Sequence, residues 1–379
     1  MMVYIQNAKV FFSTGEMIEA NIHVRDGKFS AIGPSLDIPK DVKVIDAGGK
    51  IVTPGLIDVH THLGVHEEGI GPDGRDFNET SSESTPQVSA IDGINPRETG
   101  FQDARRSGVT TVQIMPGSAN IIGGEMLVVK TVGTVVDEMI VKNPSGLKAA
   151  MGENPKRVYG SKGKMPTTRM GTAARLREKL IEAQNYIEDR GQKKCGRDLG
   201  LENIAKVLRK EIPLRVHAHR ADDIVTVLRI KREFDINLTI EHCTEGHQIA
   251  EFIAEHDVRV SVGPTMSTRS KTELSDKGWH TILALSEAGI PVSITTDHPV
   301  IGIEHLMTSA ILAVKNGFSE AKALEAITLN AAKHIGVDDR VGSIEIGKDA
   351  DFVIWSGDPF DLRSTVDATY IEGKAVYER

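Results

Sequence analysis

The chain reads Gly55-Leu56-Ile57-Asp58-Val59-His60-Thr61-His62 at the point that decides its fold. Residues 55–59 are mostly apolar, which is typical of a buried parallel strand. The two histidines that follow are two positions apart, so on an extended backbone they face the same side. Two neutral imidazoles that point inward from one strand end form half of a divalent-metal site. A pair that only forms hydrogen bonds is the alternative, and later motifs must decide between them.

The composition bounds the class of protein. A chain of 379 residues fits a large barrel with a smaller unit beside it. Hydrophobic residues make up 40% and aromatic residues 4%, so we expect an aliphatic core. The net charge of −8 disfavours nucleic acid and acidic membranes as partners, and no stretch approaches the roughly 18 apolar residues of a membrane span. Two cysteines, Cys195 and Cys243, indicate no disulfide framework and favour the cytoplasm.

Both ends of the chain have the pattern of small antiparallel sheets. Asp26-Gly27 separates two apolar runs, and Glu372-Gly373 does the same near the C-terminus. Such dipeptides between strands are hairpin signals. Neither end is long enough to form a stable sheet alone. We therefore predict that residues 1–54 and 343–379 combine into one small β-sandwich, and that residues 55–342 form a separate central domain.

The central part alternates strand-like and helix-like segments, which predicts a parallel sheet covered by helices. The predicted strands after the first are 109–115, 146–151, 214–217, 238–242, 258–262 and 292–295. The predicted helices are 172–189, 201–209, 222–232, 247–254, 281–287 and 306–315. The fold class is therefore α/β, with a (β/α)8 TIM-like barrel of the usual size, about 250 residues or more. Active sites of such barrels lie at the C-terminal ends of the strands. Polar residues 66–97 follow the first strand, and we expect a lid or substrate loop there, with a disordered insertion as the alternative.

Metal-capable side chains follow three more of the predicted strands. The motifs are VHAH at 216–219, EHC at 241–243 and TDHP at 296–299. Each has an ordinary explanation when it is taken alone, as a solvated strand end or a hydrogen-bonded histidine. Together with residues 55–62 they give the order HxH, His, His, Asp, each at a strand end. This order argues against coincidence and predicts a metal site at the barrel mouth.

These ordered motifs resemble the amidohydrolase superfamily, in particular its imidazolonepropionase-like, prolidase-like and hydantoinase-like members. The resemblance rests on PGLIDVHTH at 54–62 and on the three later motifs. It covers nearly the whole chain, because residues 342–353 are similar to the family's returning strand. It implies a distorted barrel with one or two divalent metal ions, for which zinc is expected. It also implies that metal-activated water hydrolyses a C–N bond of a small cyclic amide or peptide-like substrate, in a monomer or a homo-oligomer.

The resemblance also implies roles for individual residues. His60 and His62 match the first-strand ligands of the more buried metal, and His242 matches the sixth-strand ligand. Asp297 is similar to the eighth-strand aspartate, which binds metal and relays protons. A carboxylate is needed for that role, because an amide cannot accept a proton from water.

Two ligand assignments stay open. VHAH offers His217 and His219, which face the same way on a strand; we favour His217 as the ligand and place His219 near the substrate. In two-metal relatives the fourth strand supplies either a carboxylated lysine or a glutamate. Lys148 lies within the strand and Glu153 nearer the rim, so both satisfy the geometry.

The substrate and two competing functions are not decided by these motifs. Arg157, Tyr159 and Arg220 follow predicted strands and are candidates for binding a substrate carboxylate, with plain surface solvation as the alternative. The first competing function is a deaminase of a ring amidine. Mononuclear deaminases usually carry His-x-x-Glu on the fifth strand, and here Arg220 takes the glutamate's position. The second is a non-enzymatic, hydantoinase-like assembly protein, which the retained metal ligands disfavour.

Overall fold

The chain folds into a barrel of strands and helices and a separate sheet, as shown by a computed structural model that describes residues 2–12, 15–38 and 42–379. The strands are β1 (Met2–Phe11), β2 (Met17–Arg25), β3 (Lys28–Gly33), β4 (Lys43–Asp46), β5 (Ile51–Pro54), β6 (Leu56–Thr61), β7 (Val109–Ile114), β8 (Ile122–Lys130), β9 (Ile140–Ala150), β10 (Leu214–Ala218), β11 (Leu238–His242), β12 (Arg259–Val262), β13 (Val292–Ile294), β14 (Phe352–Trp355), β15 (Val366–Ile371) and β16 (Lys374–Glu378). The helices are α1 (Thr99–Arg106), α2 (Val136–Met139), α3 (Glu153–Gly160), α4 (Arg169–Gly191), α5 (Leu199–Leu208), α6 (Ala221–Phe234), α7 (Ala250–Ala254), α8 (His280–Glu287), α9 (Leu306–Lys315), α10 (Glu320–Ala326) and α11 (Leu329–Ile335).

The two ends of the chain form one separate sheet, as predicted. Its order is β16-β15-β14-β5-β1-β2-β3, and β4 also pairs with β1. The antiparallel pairing of β5 with β14 joins the N-terminal strands to the C-terminal ones. Both predicted hairpins are present, and each has two consecutive turn residues with positive φ: Asp26 and Gly27, then Glu372 and Gly373. Parts of the predicted sandwich, residues 1, 13, 14 and 39–41, lie outside the described residues.

The central residues form a nearly closed barrel of eight strands, which confirms the predicted TIM-like fold. The order is β13-β12-β11-β10-β9-β8-β7-β6, and β13 lies beside β6. One strand differs from a regular (β/α)8 barrel, because β8 runs antiparallel to both of its neighbours. Residues 131–139, which join β8 to β9, are too few for the crossover of a dozen or more residues that a parallel pair needs.

The predicted helices are also present, with one change. Residues 247–254 form a short 3-10 turn (Gly246–Ile249) followed by α7 instead of one helix. Residues 66–97 contain two further 3-10 turns, at Gly71–Gly74 and Ala90–Gly93. No helix in the described ranges is both long and apolar enough to cross a membrane. Cys195 and Cys243 are free thiols.

A buried ion-pair cluster ties the barrel to the terminal sheet. The ammonium of Lys130, at the end of β8, lies 2.5 Å from the carboxylate of Asp351 and 3.1 Å from that of Asp349. All three side chains are almost completely buried. Removing one partner of such a cluster leaves uncompensated charge in the interior, which is strongly destabilising.

We expect Lys130→Met to lower the free energy of unfolding by about 3–5 kcal/mol, because the buried Asp351 loses its cation and Asp349 keeps only Arg340 and Lys28 as partners. Urea denaturation followed by circular dichroism measures this change. The matched control is Lys50→Met, which removes a half-exposed pair with Asp367 (2.7 Å) inside the terminal sheet. That pair should contribute at most about 1 kcal/mol. Equal losses in the two variants would contradict the view that the Lys130 cluster joins the two layers.

Candidate active site

A cavity of about 640 Å³ opens where the barrel strands end. It is bordered by side chains from the ends of β6, β10 and β13 and from the segments that follow β6, β7, β9 and β12: His62, His66, Phe77, Ser118, Asn154, Arg157, His217, His219, Pro264, Met266, Ser267, Thr268, Ser270, Lys271, Leu274, Asp297 and Val300. Residues 66–97 contribute His66 and Phe77, whose rings stack with centroids 4.4 Å apart. The predicted lid segment therefore forms part of the cavity wall.

The first metal-capable cluster at the floor of this cavity consists of His60, His62 and Asp297. The Oδ1 atom of Asp297 lies 3.3 Å from Nε2 of His62 and 3.5 Å from Nε2 of His60. The strand ends are held together by backbone contacts, since the His62 amide donates to the carbonyl of His298 at 2.9 Å. Three metal-capable atoms from the ends of β6 and β13 thus lie close together.

The second cluster consists of His217, His219 and His242. The ring centroids of His217 and His219 lie 4.4 and 4.7 Å from that of His242, and the ring of His60 is 4.6 Å from His242. The two clusters therefore adjoin each other through His60 and His242. Both histidines of the VHAH motif belong to the second cluster, so the geometry does not choose between them.

Hydrogen bonds fix the tautomers of two of the histidine rings, His62 and His242, in the form that binds metal. Nδ1 of His62 donates to the carbonyl of Met115 at 2.8 Å, and Nδ1 of His242 donates to the carbonyl of Gly263 at 2.7 Å. A carbonyl only accepts, so these nitrogens carry the proton and each Nε2 keeps a free lone pair. The buried Nδ1 of His217 has no hydrogen-bond partner among the described residues. This donor set fits a divalent ion such as zinc.

Lys148 is completely buried beside the two clusters, and Glu153 is not part of either. The Nζ atom of Lys148 lies 3.0 Å from Nε2 of His60 and 3.0 Å from the sulfur of Met115. Burial lowers the pKa of Lys148 to about 8, against the opposing effects of Asp297 and Glu241. Glu153 begins α3, and its backbone amide donates to Glu273 at 3.0 Å. The geometry therefore favours Lys148 for the fourth-strand position.

Burial and neighbouring charges set the ionisation of the cluster. Burial lowers the pKa of both His217 and His219 well below the usual range, so their imidazoles are neutral. Burial alone would raise the pKa of Asp297, but the nearby His62, His242 and His60 outweigh it and hold that pKa far below its ordinary value. A neutral imidazole and an ionised carboxylate are the forms that bind metal.

Two buried carboxylates hold His60 and the strand ends of the first cluster in place. Glu241 lies 3.4 Å from Nδ1 of His60, and it accepts from the hydroxyl of Ser261 at 2.5 Å and from Nε2 of His334 at 3.1 Å. Asp58 accepts from the hydroxyls of Thr295 and Thr296 at 2.5 and 2.6 Å, which ties the end of β13 to β6. Glu241 stands directly before His242, and Asp58 stands two positions before His60, but the sequence does not show which groups they reach.

Three residues at the strand ends have left-handed backbone conformations. His242, Cys243 and Asp297 have φ values of 74°, 48° and 54°. Such conformations are uncommon for residues other than glycine and cost of the order of 1–3 kcal/mol each. They occur where the chain must turn sharply out of β11 and beyond β13 while the side chain stays at the cavity floor.

Two of the predicted substrate residues do not line the cavity. The hydroxyl of Tyr159 contacts the Ser82 carbonyl at 2.7 Å and the Asn120 side chain at 2.5 Å, so it joins α3 to the lid segment. Burial raises the pKa of Tyr159 to about 12. Arg220 is partly exposed and pairs with Asp222 at 2.9 Å. The other two predicted substrate residues, Arg157 and His219, do border the cavity.

An ion pair that the motifs did not reveal lies in the segment after β12. The ammonium of Lys271 is 2.6 Å from Oε1 of Glu273, whose side chain is 1% exposed. The same oxygen lies 3.7 Å from Nε2 of His219 and 3.8 Å from Nε2 of His217. The pair thus contacts the second cluster from the segment that follows β12. Its only sequence signal is a lysine and a glutamate two positions apart in a segment without periodicity.

The fold and the clusters at the strand ends indicate a hydrolase of the amidohydrolase type. The model of the amidohydrolase family matches residues 51–376, so the chain belongs to that family. An amidohydrolase from Thermotoga maritima MSB8 is 44% identical, with a TM-score of 0.97 and full coverage of both chains. An imidazolonepropionase from Solibacter usitatus is 26% identical and covers 94% of this chain and 91% of its own length. The amidohydrolase tasK of Hapsidospora irregularis is 27% identical over 91% of this chain, which spans 38% of that longer protein.

Family membership confirms the predicted superfamily and enzyme class. The chain is a hydrolase that acts on C–N bonds, and its family acts on small-molecule substrates. Members of the family generally bind divalent metal ions, and the two clusters described above are candidate sites for them.

Proposed function

We propose that the protein is a metal-dependent amidohydrolase that uses activated water to hydrolyse a cyclic amide or a peptide-like substrate carrying a carboxylate. One observation carries this proposal. Two adjoining clusters of histidines, with Asp297 in one of them and a fully buried lysine beside both, form the floor of a cavity at the strand ends.

The residues of the clusters divide the work. His60, His62 and Asp297 would hold one divalent ion, and His242 with His217 or His219 would hold a second. A divalent ion such as zinc supplies Lewis acidity, since it lowers the pKa of bound water from 15.7 to about 7 and polarises a carbonyl. Asp297 accepts the proton of the attacking water on its carboxylate and delivers it to the leaving nitrogen. Such general acid–base catalysis contributes roughly 10²–10⁴-fold.

Lys148 would link the two ions as a carbamate. Its neutral amine adds to carbon dioxide and releases one proton, which gives a carboxylate at the end of a long side chain. The position of Nζ, 3.0 Å from Nε2 of His60, is compatible with this role. Glu241 holds the ring of His60 in place through its Nδ1 atom, 3.4 Å away.

Arg157 gives the cavity its preference for an anionic substrate. Its side chain is exposed at the cavity wall, and no ion pair of Arg157 is found within the described part of the chain. Lys271, the other cation of the wall, is already neutralised by Glu273. Phe77, Met266 and Leu274 supply an apolar surface elsewhere in the cavity. A substrate with a carboxylate and an apolar group satisfies both parts.

The proposal is tested with protein grown on zinc and a panel of N-acyl amino acids, dipeptides and cyclic imides, each with a neutral amide counterpart. We expect hydrolysis of a carboxylate-bearing member, its loss on chelation and its return when zinc is added. Arg157→Gln should raise KM for that substrate about tenfold or more, because charge-assisted hydrogen bonds contribute roughly 1.5–3 kcal/mol. The control Arg220→Gln should leave KM unchanged, since Arg220 does not line the cavity.

Other outcomes of the same panel would overturn the proposal. Release of ammonia from aminopurines or pterins without amide hydrolysis would identify a deaminase. A folded protein that holds less than about a tenth of an equivalent of metal after growth with zinc would identify a non-catalytic assembly protein, because it would lack the ion that the chemistry needs.

A further inference from the structure

Three side chains outside the catalytic cavity form another compact group of metal-capable atoms: His247, Asp276 and His280. His247 lies in the turn after β11, Asp276 in the segment between β12 and α8, and His280 at the start of α8. Nε2 of His247 is 3.0 Å from Oδ2 of Asp276, and Nε2 of His280 is 3.8 Å from Oδ1 of the same carboxylate. The two imidazole rings are perpendicular, with centroids 4.3 Å apart.

The hydrogen bonds around His247 leave its Nε2 lone pair directed at this carboxylate. The hydroxyl of Thr281 donates to the carbonyl of Thr244 at 2.8 Å, so its oxygen can only accept from Nδ1 of His247, 3.1 Å away. The proton of a neutral His247 is therefore on Nδ1. A bare Nε2 lone pair then faces an ionised carboxylate oxygen at 3.0 Å, which is repulsive unless the ring takes up a second proton or a metal ion lies between the two groups.

We propose that His247, Asp276 and His280 form a further metal site, separate from the two clusters of the cavity, for a divalent transition-metal ion such as zinc. Imidazole nitrogen and carboxylate oxygen are ordinary zinc ligands, and a hydrogen bond that fixes the distal nitrogen is the usual support of a metal-binding histidine. The separation of 3.0 Å is near the edge of about 3.3 Å of a tetrahedron with bonds of about 2.0 Å. Asp276 and His280 are about half exposed, so the ion enters from solvent, and water completes its coordination.

This site is connected to the catalytic clusters through two threonines. Nδ1 of His219 lies 2.7 Å from the hydroxyl of Thr244, and the carbonyl of Thr244 accepts from Thr281, which in turn holds His247. Asp276 also lies in the segment between β12 and α8 that carries Lys271 and Leu274 of the cavity wall. An ion bound by Asp276 therefore anchors this segment, which couples occupancy of the surface site to the shape of the cavity. The site itself does not depend on the proposed catalytic function.

Metal binding by the protein as purified, with its tightly held ions in place, tests the inference. Zinc is added to saturation, the free metal is removed by a short desalting step, and zinc per chain is measured by elemental analysis. We expect His280→Ala and Asp276→Asn each to hold one equivalent less than the wild-type protein. The matched control is His305→Ala, which removes a surface histidine 3.7 Å from Glu304 that belongs to no metal-capable group of the described residues.

Each result has a defined meaning. Equal zinc content in the wild type, both site variants and the control would overturn the site and leave a simple imidazolium–carboxylate pair. A loss in the control as large as in the site variants would also overturn it. In hydrogen exchange, added zinc should protect residues 263–279 in the wild type and not in His280→Ala. Unchanged exchange of this segment, with an occupied site, would overturn the coupling to the cavity wall.

Discussion

Replacing Lys148 by methionine should remove at least half of the bound metal and lower turnover by more than about 100-fold. Changing a group that only supports a metal ligand already costs roughly 10–100-fold in affinity or activity, and Lys148 is proposed to bind the ions directly. Methionine is similar in length and apolar, so the completely buried position remains filled and the fold should survive. Elemental analysis and turnover on the substrate found by the panel measure the two effects.

The matched control for Lys148→Met is Glu153→Gln, which changes the other candidate for the fourth-strand position. Because Glu153 begins α3 and belongs to neither cluster, this variant should keep its metal and most of its activity. Carbon-13 bicarbonate gives an independent reading, since a lysine carbamate adds a carbonyl signal that Lys148→Met must lack. If Glu153→Gln loses the metal and Lys148→Met keeps it, the two assignments must be exchanged.

Asp297→Asn should lower turnover by at least about 100-fold, the lower end of the effect of general acid–base catalysis. Asparagine keeps the shape of the side chain, but its amide cannot accept a proton from water, and it is a weaker metal ligand. The losses of the proton relay and of one metal ligand act together, so we expect a decrease larger than that lower end. Turnover and zinc content should be measured on the same preparation, with the carboxylate at the cavity floor as the only change.

The control for Asp297→Asn is Asp222→Asn, which alters an exposed carboxylate that pairs with Arg220 near the end of β10. Asp222 does not line the cavity, and its exposed ion pair contributes at most about 1 kcal/mol to stability. Its replacement should therefore leave turnover within about twofold of the wild-type value. Near-full activity of Asp297→Asn with full metal occupancy would show that another group moves the proton.

Much of the site could be predicted because strand ends are local features of the sequence. His60, His62, His242 and Asp297 each lie at the end of a strand-like segment, and the ends of neighbouring barrel strands meet at one face. The alternation of apolar runs and helical segments similarly predicted the barrel, and the two dipeptide turns predicted the hairpins of the terminal sheet. These inferences need only the period of the backbone and the chemistry of single residues.

Other parts of the site depend on contacts between residues far apart in the chain. The sequence places Lys148 and Glu153 five positions apart, and only the fold shows that Lys148 lies beside His60 while Glu153 lies at the start of a helix. Tyr159 and Arg220 follow predicted strands like the true wall residues, but their side chains bond to Asn120 and Asp222 instead.

The sequence by itself determined the fold class, the pairing of the two chain ends and the order of metal-capable residues along the barrel. The tertiary structure alone decided that β8 is antiparallel to its neighbours and that the Lys271–Glu273 pair contacts the second cluster. It also decided that His247 lies beside Asp276 at the surface. The physical reason is that periodicity and turn chemistry act over a few residues, whereas a side chain's partner depends on where a long segment such as residues 263–279 closes over the barrel.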